Sequence, residues 1–381
     1  MKKVTIGLLA TFLITFAFLK PFIPLSAISP NQINVLNSLL SEVNPTPTQL
    51  AVLTAIALDL DTALIGISGD QYSSLIQLNE FSNRRFLREL YAPLSYDAED
   101  LLTICPKEVG YESWAEIGGG RAFLRGDGSS GGFKMHNYDV TLGVQKYFDR
   151  NLTAGAAVNY EFDHVHFYTP GDGSMHTVQA AFYAMYNLPC FYLMTDFIGG
   201  WTNSNMTRLI QFGTTNLTAQ STLQMINGLF YFEGGANMHS GIFLVRPFVG
   251  IETGYYFRPS ISETGAGNFG LVIPSETTNA QNDSRAGVHL ITKNPQWILW
   301  SIDAVWRHRF NNVPNHIFPK LVSFPDSFEI VGVKQRRDGF EGTVSAARQF
   351  CEFFTFFVEF SGEKWSRYST YEVSAGLLAQ W

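Results

Sequence analysis

The sequence predicts an all-β fold, a 12-stranded antiparallel transmembrane β-barrel with an N-terminal helical segment threading or plugging its pore. Three observations carry this. Apolar and polar residues alternate with a period of two over most of the chain after Tyr111, the connections between the alternating segments are short on one side and long on the other, and the last residue is aromatic. A strand that faces lipid on one side and a polar lumen on the other must alternate in this way.

The chain opens with Met1, Lys2 and Lys3, runs apolar over residues 4–19, and offers Leu25-Ser26-Ala27 for cleavage after Lys20 and two prolines. That is the pattern of a secretory signal peptide over residues 1–27, so the mature chain is expected to start near Ile28. Removing the three leader lysines takes the formal charge from −7 to −10, a balance that excludes nucleic acid as a partner because phosphates need a basic face. No later stretch reaches the ~20 consecutive apolar residues of a membrane helix. Yet 46% of residues are hydrophobic, 14% are aromatic and 15% are charged, against roughly 25% charged in average proteins, which fits a wall whose outer face meets lipid. Cys105, Cys190 and Cys351 form an odd set without CxxC spacing, so neither a zinc site nor a closed disulfide framework is indicated. They are incidental thiols or pair between molecules.

Residues 28–70 read as a short helical remnant and 71–95 as a separate helix. Residues 48–60 form an apolar helix after the breaks at Pro45 and Pro47, and Gly66 and Gly69 separate it from an amphipathic helix over residues 71–90. There Leu75, Leu78, Phe81 and Phe86 make an apolar face, and Glu80, Arg84, Arg85, Arg88 and Glu89 supply charge. At 1.5 Å per residue this helix is about 30 Å long, the thickness of a membrane, but too polar to touch lipid.

Over residues 108–381 the barrel is expected in twelve segments, near 112–124, 135–148, 151–163, 174–187, 190–203, 221–236, 240–257, 284–292, 296–310, 338–350, 351–362 and 368–381. In the third, Leu152, Ala154, Ala156, Val158, Tyr160 and Phe162 oppose Thr153, Gly155, Asn159, Glu161 and Asp163. Tyr138, Val140, Leu142 and Val144 oppose Asn137, Asp139, Thr141 and Gln145, and Ile298, Trp300, Ile302, Ala304 and Trp306 oppose Ser301, Asp303, Arg307 and Arg309. Phe354, Phe356, Val358 and Phe360 form another apolar stripe. Charge facing lipid is costly, so the charged faces must share the lumen. Connections after the even strands are very short, as at Asp149-Arg150 and Leu188-Pro189, whereas those after strands one, three, five, seven and nine run from ten to more than twenty residues. Turns in the periplasm and loops outside the cell give that asymmetry. A soluble sandwich shares the alternation but not the two-sided loops.

With these segments in place, the chain resembles an autotransporter β-domain. The resemblance spans residues 44–381. NPTPTQLAVLTAIALD (44–59) is similar to the junction that ends a passenger, and NRRFLREL (83–90) to the helix that threads the pore. Trp114 with Gly118, Gly119 and Gly120, IFLVRPFVGIETGYYF (242–257), VWRHRF (305–310), RRDGFEGTVSAARQF (336–350) and YEVSAGLLAQW (371–381) follow in the family's order. The resemblance implies an outer-membrane translocator or surface-display barrel of type V secretion, in a Gram-negative-type bacterium, as a monomeric barrel. Asn83, Arg84, Arg85 and Arg88 would then belong to the pore helix and face the lumen acids Asp139, Glu161, Asp163, Glu252 and Asp303. Tyr371, Val373, Leu377 and Trp381 on one face of the last strand resemble the signal read by the barrel-assembly machinery, which with periplasmic chaperones and lipid completes the expected partners.

Two departures follow. Only residues 28–70 occupy the place of a passenger, too few for an independent domain. Some relatives cut the pore helix at an Asn-Asn pair, but here Asn79 precedes Glu80 and Asn83 precedes Arg84, so self-cleavage is not expected. The other readings of the same barrel are a porin-like passive channel, from which the helix is displaced, or a surface-exposed outer-membrane protein with no export role.

Enzymatic motifs are weak. Gly265-Ala266-Gly267-Asn268-Phe269-Gly270 fits GxGxxG, but no strand–helix unit flanks it and it reads as an outer loop. His164 and His166 share a face at the top of the third strand with no Cys, Asp or Glu cluster to complete a metal site. No His-Ser-Asn or Asp-His set stands out among the eight histidines, so no enzyme, cofactor or metal is expected.

Overall fold

In a computed structural model, which describes residues 28–42, 44–95, 110–149, 151–292, 298–351 and 353–381, four helices precede a closed barrel. The segment read as a signal peptide and Cys105 fall outside these residues. The helices are α1 (Pro30–Leu40), α2 (Pro47–Leu58), α3 (Leu60–Ser68) and α4 (Leu75–Ser95), with a 3-10 turn over Asp70–Ser74 ahead of α4. The local sequence explains their starts. Ser29 and Gln32 close a capping box on α1, and Thr46 and Gln49 close one on α2, each followed by a proline whose missing N–H costs nothing in the first turn. Gly66 lies inside α3 rather than between helices, and the chain turns instead at Gly69, whose φ of 69° favours glycine.

The barrel strands are β1 (Tyr111–Arg125), β2 (Gly132–Tyr147), β3 (Leu152–Phe167), β4 (Gly171–Asn187), β5 (Phe191–Phe212), β6 (Thr215–Ala236), β7 (Phe243–Arg258), β8 (Glu276–Thr292), β9 (Leu299–Arg309), β10 (Asp338–Cys351), β11 (Phe354–Lys364) and β12 (Tyr368–Gln380). Each pairs antiparallel with its neighbours, and β12 returns to β1 with Ser113 opposite Ala379. Closure removes every barrel edge. The alternation sets the faces as expected. Tyr138, Val140, Leu142, Val158 and Tyr160 are exposed outward, whereas Asn137, Asp139, Thr141, Asn159 and Glu161 are buried inward.

The connections differ from expectation on the loop side. β5 and β6 are 22 residues each and meet at residues 213–214, so the segment read as a long loop is a projecting hairpin. Likewise β1 and β2 are joined by residues 126–131, and β3 and β4 by 168–170. The ladder continues past the lipid, where outward positions such as Asn205, Gln211, Thr218 and Gln220 are polar and the apolar signal vanishes. β8 also starts earlier, at Glu276, with a register shift between Asn279 and Gln281. Long connections remain at residues 259–275 and 310–337, each carrying short strands.

The helices divide between two places. α4 lies inside the lumen, in contact with β3 through β7, and is buried on all sides, so its polar face as well as its apolar one is enclosed. α1 to α3 cap the loop end. Val35, Leu39, Val52, Ile56, Leu64 and Ile67 form one apolar core with Ile210 and Phe212 of the projecting hairpin and with Leu271, Ile273, Leu321 and Ile330 of the long loops.

Candidate functional site: the filled lumen

Glu80, Arg84 and Arg88 recur every four residues and so project from one side of α4. Arg84 lies 2.5 Å from Glu80, 3.1 Å from Glu252 of β7 and 3.4 Å from Glu363 of β11, and also pairs with Asp283 of β8. The wall supplies its own cations to the same acids. Arg307 bonds Glu252 and, at 2.9 Å, Glu341, while Arg309 bonds Glu80 and, at 3.0 Å, Asp283. Arg285 reaches Glu341 at 3.0 Å. Trp365 covers the cluster, with the guanidinium carbons of Arg84 and Arg309 at 5.5 and 5.0 Å from its ring centre. Buried charge is tolerable only when paired and hydrogen-bonded in this way.

Arg85 points to the opposite wall. It pairs with Asp139 of β2, lies 3.0 Å from Glu161 of β3 and 3.4 Å from Glu89 one turn along. Arg88 pairs with Glu372 of β12 and lies 3.8 Å from Glu363. Asn83 accepts a hydrogen bond from the Gln179 amide at 2.6 Å. Among the acids expected to face these arginines, Asp139, Glu161 and Glu252 do so. Asp163 sits beside Glu161. Asp303 instead holds His289 at 2.7 Å, because β9 carries it toward the turn end, below the arginines.

That end has its own lock. The Tyr91 ring stacks on His289, which stacks on Phe248, at centroid distances of 4.7 and 4.4 Å. The Tyr91 hydroxyl also meets Glu233 and the His289 Nε2, the latter at 2.6 Å. Between helix and wall the gap lined by Arg88, Tyr91, Asp303 and Glu359 measures about 20 Å³, room for about one water.

At the loop end, Asn31 of α1 donates to Ser129 and Val331 carbonyls at 2.7 and 3.0 Å and to Asp70 at 3.3 Å. Burial pushes the Asp70 carboxyl up to about 7, against hydrogen bonds from Ser68 and Asn31 that pull it down. At the other end Trp381 stacks on Tyr111 at 5.1 Å and donates its indole N–H to the Ser113 hydroxyl at 3.0 Å. Tyr371, Val373 and Leu377 face outward on β12.

Several members of the network escaped the sequence reading as site residues: Asp283, Arg285, Arg307, Arg309, Glu341, Glu363 and Glu372. Their signal was parity. All stand at inward positions, but which inward residue meets α4 depends on strand tilt and helix rotation.

The autotransporter β-domain family matches residues 113–361, and the chain belongs to that family. The barrel is similar to the translocator domain of the autotransporter NalP from Neisseria meningitidis, at 13% identity and a TM-score of 0.62, covering 80% of this chain and 98% of that one. It is also similar to the β-domain of the Bordetella autotransporter BrkA, at 11% identity and a TM-score of 0.53, covering 71% of this chain and all of the other. No curated protein sequence matches. The protein is thus an outer-membrane translocator barrel of a Gram-negative bacterium, of the type V secretion class.

Proposed function

We propose that the protein is a plugged translocator that displays its own helical head. Residues 1–27 direct export, 28–70 form the displayed head, 71–95 the pore segment and 108–381 the barrel. One observation carries the reading: the chain runs from a head packed on the loop end, through the lumen as α4, to β1 at the turn end, the path a segment takes once its N-terminal side has crossed outward. The long connections at one end and short turns at the other support an orientation with loops outside and turns in the periplasm. The head shares its core with the barrel's own loops, so it is retained rather than released. The barrel acts as a monomer, with lipid around it, and is inserted by the assembly machinery with periplasmic chaperones through Tyr371, Val373, Leu377 and Trp381. Transport rather than catalysis is its role.

Deleting residues 28–94 leaves all twelve strands and Trp381. Conductance of the truncated barrel in planar bilayers should rise well above that of the intact protein. Equal, steady conductance from both would replace this reading with the porin-like channel.

A further inference from the structure

The outward faces of β1, β2 and β3 change character at one height. On β2 the positions Tyr138, Val140, Leu142 and Val144 are exposed and apolar, and on β3 so are Val158 and Tyr160. Beyond them come Arg121 on β1, Lys134 and His136 on β2, and His164 and His166 on β3, none buried. The register puts these residues together. Arg121 is opposite His136, which is opposite His164, and Lys134 is opposite His166. His136 lies within electrostatic reach of Arg121, Lys134 and His164. The one acid in facing register is Asp172, opposite His166.

The level is that of a lipid headgroup. Lys146, whose ammonium lies 5.0 Å from the Tyr111 ring, marks the turn-side interface. From residue 146 to 136, and from 111 to 121, the strand advances ten residues. At ~3.4 Å per residue and a tilt of about 40°, that is a height of about 26 Å, matching an apolar band ~25 Å tall.

Arg121 and Lys134 set fixed positive charge beside three imidazoles on a chain whose formal charge is −7 with histidine neutral, while the acids of the same strands, Glu112, Glu116, Asp139, Glu161 and Asp163, are buried on the inner face. A phosphate held across the rows accepts from the guanidinium, the ammonium and the imidazole N–H groups together. The apolar surface directly below meets acyl chains.

We propose that the outer rim of β1–β3 binds the phosphorylated headgroup of an outer-leaflet glycolipid. The choice of leaflet rests on the orientation given under Proposed function. The binding chemistry does not.

The purified full-length barrel in detergent is exposed to diphosphorylated lipid A, to its dephosphorylated form and to phosphatidylglycerol, and the bound lipid is read by native mass spectrometry. The wild type should retain diphosphorylated lipid A at least tenfold more tightly than either of the others. Combining R121Q, K134Q, H164Q and H166Q should weaken that retention at least tenfold while leaving a heat-modifiable, folded barrel, since none of the four residues touches the lumen. K146Q, at the opposite rim, should retain it as the wild type does. Should the fourfold variant misfold, R121Q and K134Q are measured singly for a smaller loss in the same direction. Indifference to the phosphates, equal retention by the folded variants, or preference for phosphatidylglycerol each overturns the proposal. Surface labelling of a tag at the loop end tests the orientation separately, and its failure leaves the detergent result readable.

Discussion

Replacing Arg84 by alanine should unlock the plug without destroying the barrel. The guanidinium lies within 3.4 Å of Glu80, Glu252 and Glu363 and bonds Asp283, all of them buried. Its removal leaves four carboxylates to share Arg307, Arg309 and, for Glu363, Arg88, whose contacts are already committed. Breaking a buried pair from one side costs about 3–5 kcal/mol, mainly through the charges left behind. All of that cost falls on the plugged state, because with α4 withdrawn the wall acids meet water. At ~1.4 kcal/mol per tenfold, the population with α4 displaced should rise by a factor of about 10² to 4 × 10³. The assay is single-channel recording in planar bilayers, with open probability compared among wild type, R84A and a barrel lacking residues 28–94. R84A should show frequent openings to the conductance of the truncated barrel. R84K should fall between, since one ammonium keeps the charge but loses the fork that reaches several carboxylates at once. Were R84A to fold normally and remain as closed as wild type, while the truncated barrel conducts, the charge network would not be what holds the helix.

Three further outcomes are expected. A tag inserted at Gly213, where an added side chain would meet nothing within 4 Å, should bind antibody on intact cells, and one at Leu188 should not; the reverse pattern inverts the topology. Deleting Trp381 removes its stacking on Tyr111 and its bond to Ser113, and should reduce heat-modifiable barrel in the outer membrane while export across the inner membrane continues, as fractionation would show; undiminished folded barrel would remove its role as an assembly signal. Head docking should weaken as pH rises. Asp70 is held neutral up to about 7 when buried but ionises near 3.8 when free, so the penalty is absent below pH 4, grows between 4 and 7 and is constant above, reaching on the order of 4 kcal/mol. Protection of the α1 and α3 amides, taken relative to the intrinsic exchange rate at each pH, should therefore fall from pH 5 to 7.5 in the wild type and stay flat in D70N; parallel protection profiles for the two would exclude Asp70 as the cause.

The period-two alternation, together with connections that are short on one side and long on the other, determined the barrel. One face of each strand had to satisfy lipid and the other a polar interior, and no second arrangement of Leu142 and Asp139, or of Trp300 and Arg307, meets both demands. The pore helix came from the family resemblance of residues 83–90, the residues themselves showing only a helix of membrane length too polar to touch lipid. Where that logic lost its input, the reading slipped. Beyond the lipid both faces of β5 and β6 have polar or mixed neighbours, so residues 204–220 looked like loop although their backbone bonds run unbroken around the tip. Only the tertiary structure decided which charges meet. Asp303 and Glu341 share the inward parity, yet one takes His289 and the other Arg285 and Arg307, because strand tilt and the rotation of α4 set depth in the lumen and neither is written in any single strand. The head was also undecidable from sequence: α1 to α3 have apolar faces that find their partner only when two distant loops, 259–275 and 310–337, and the tip of the β5–β6 hairpin converge to bury them.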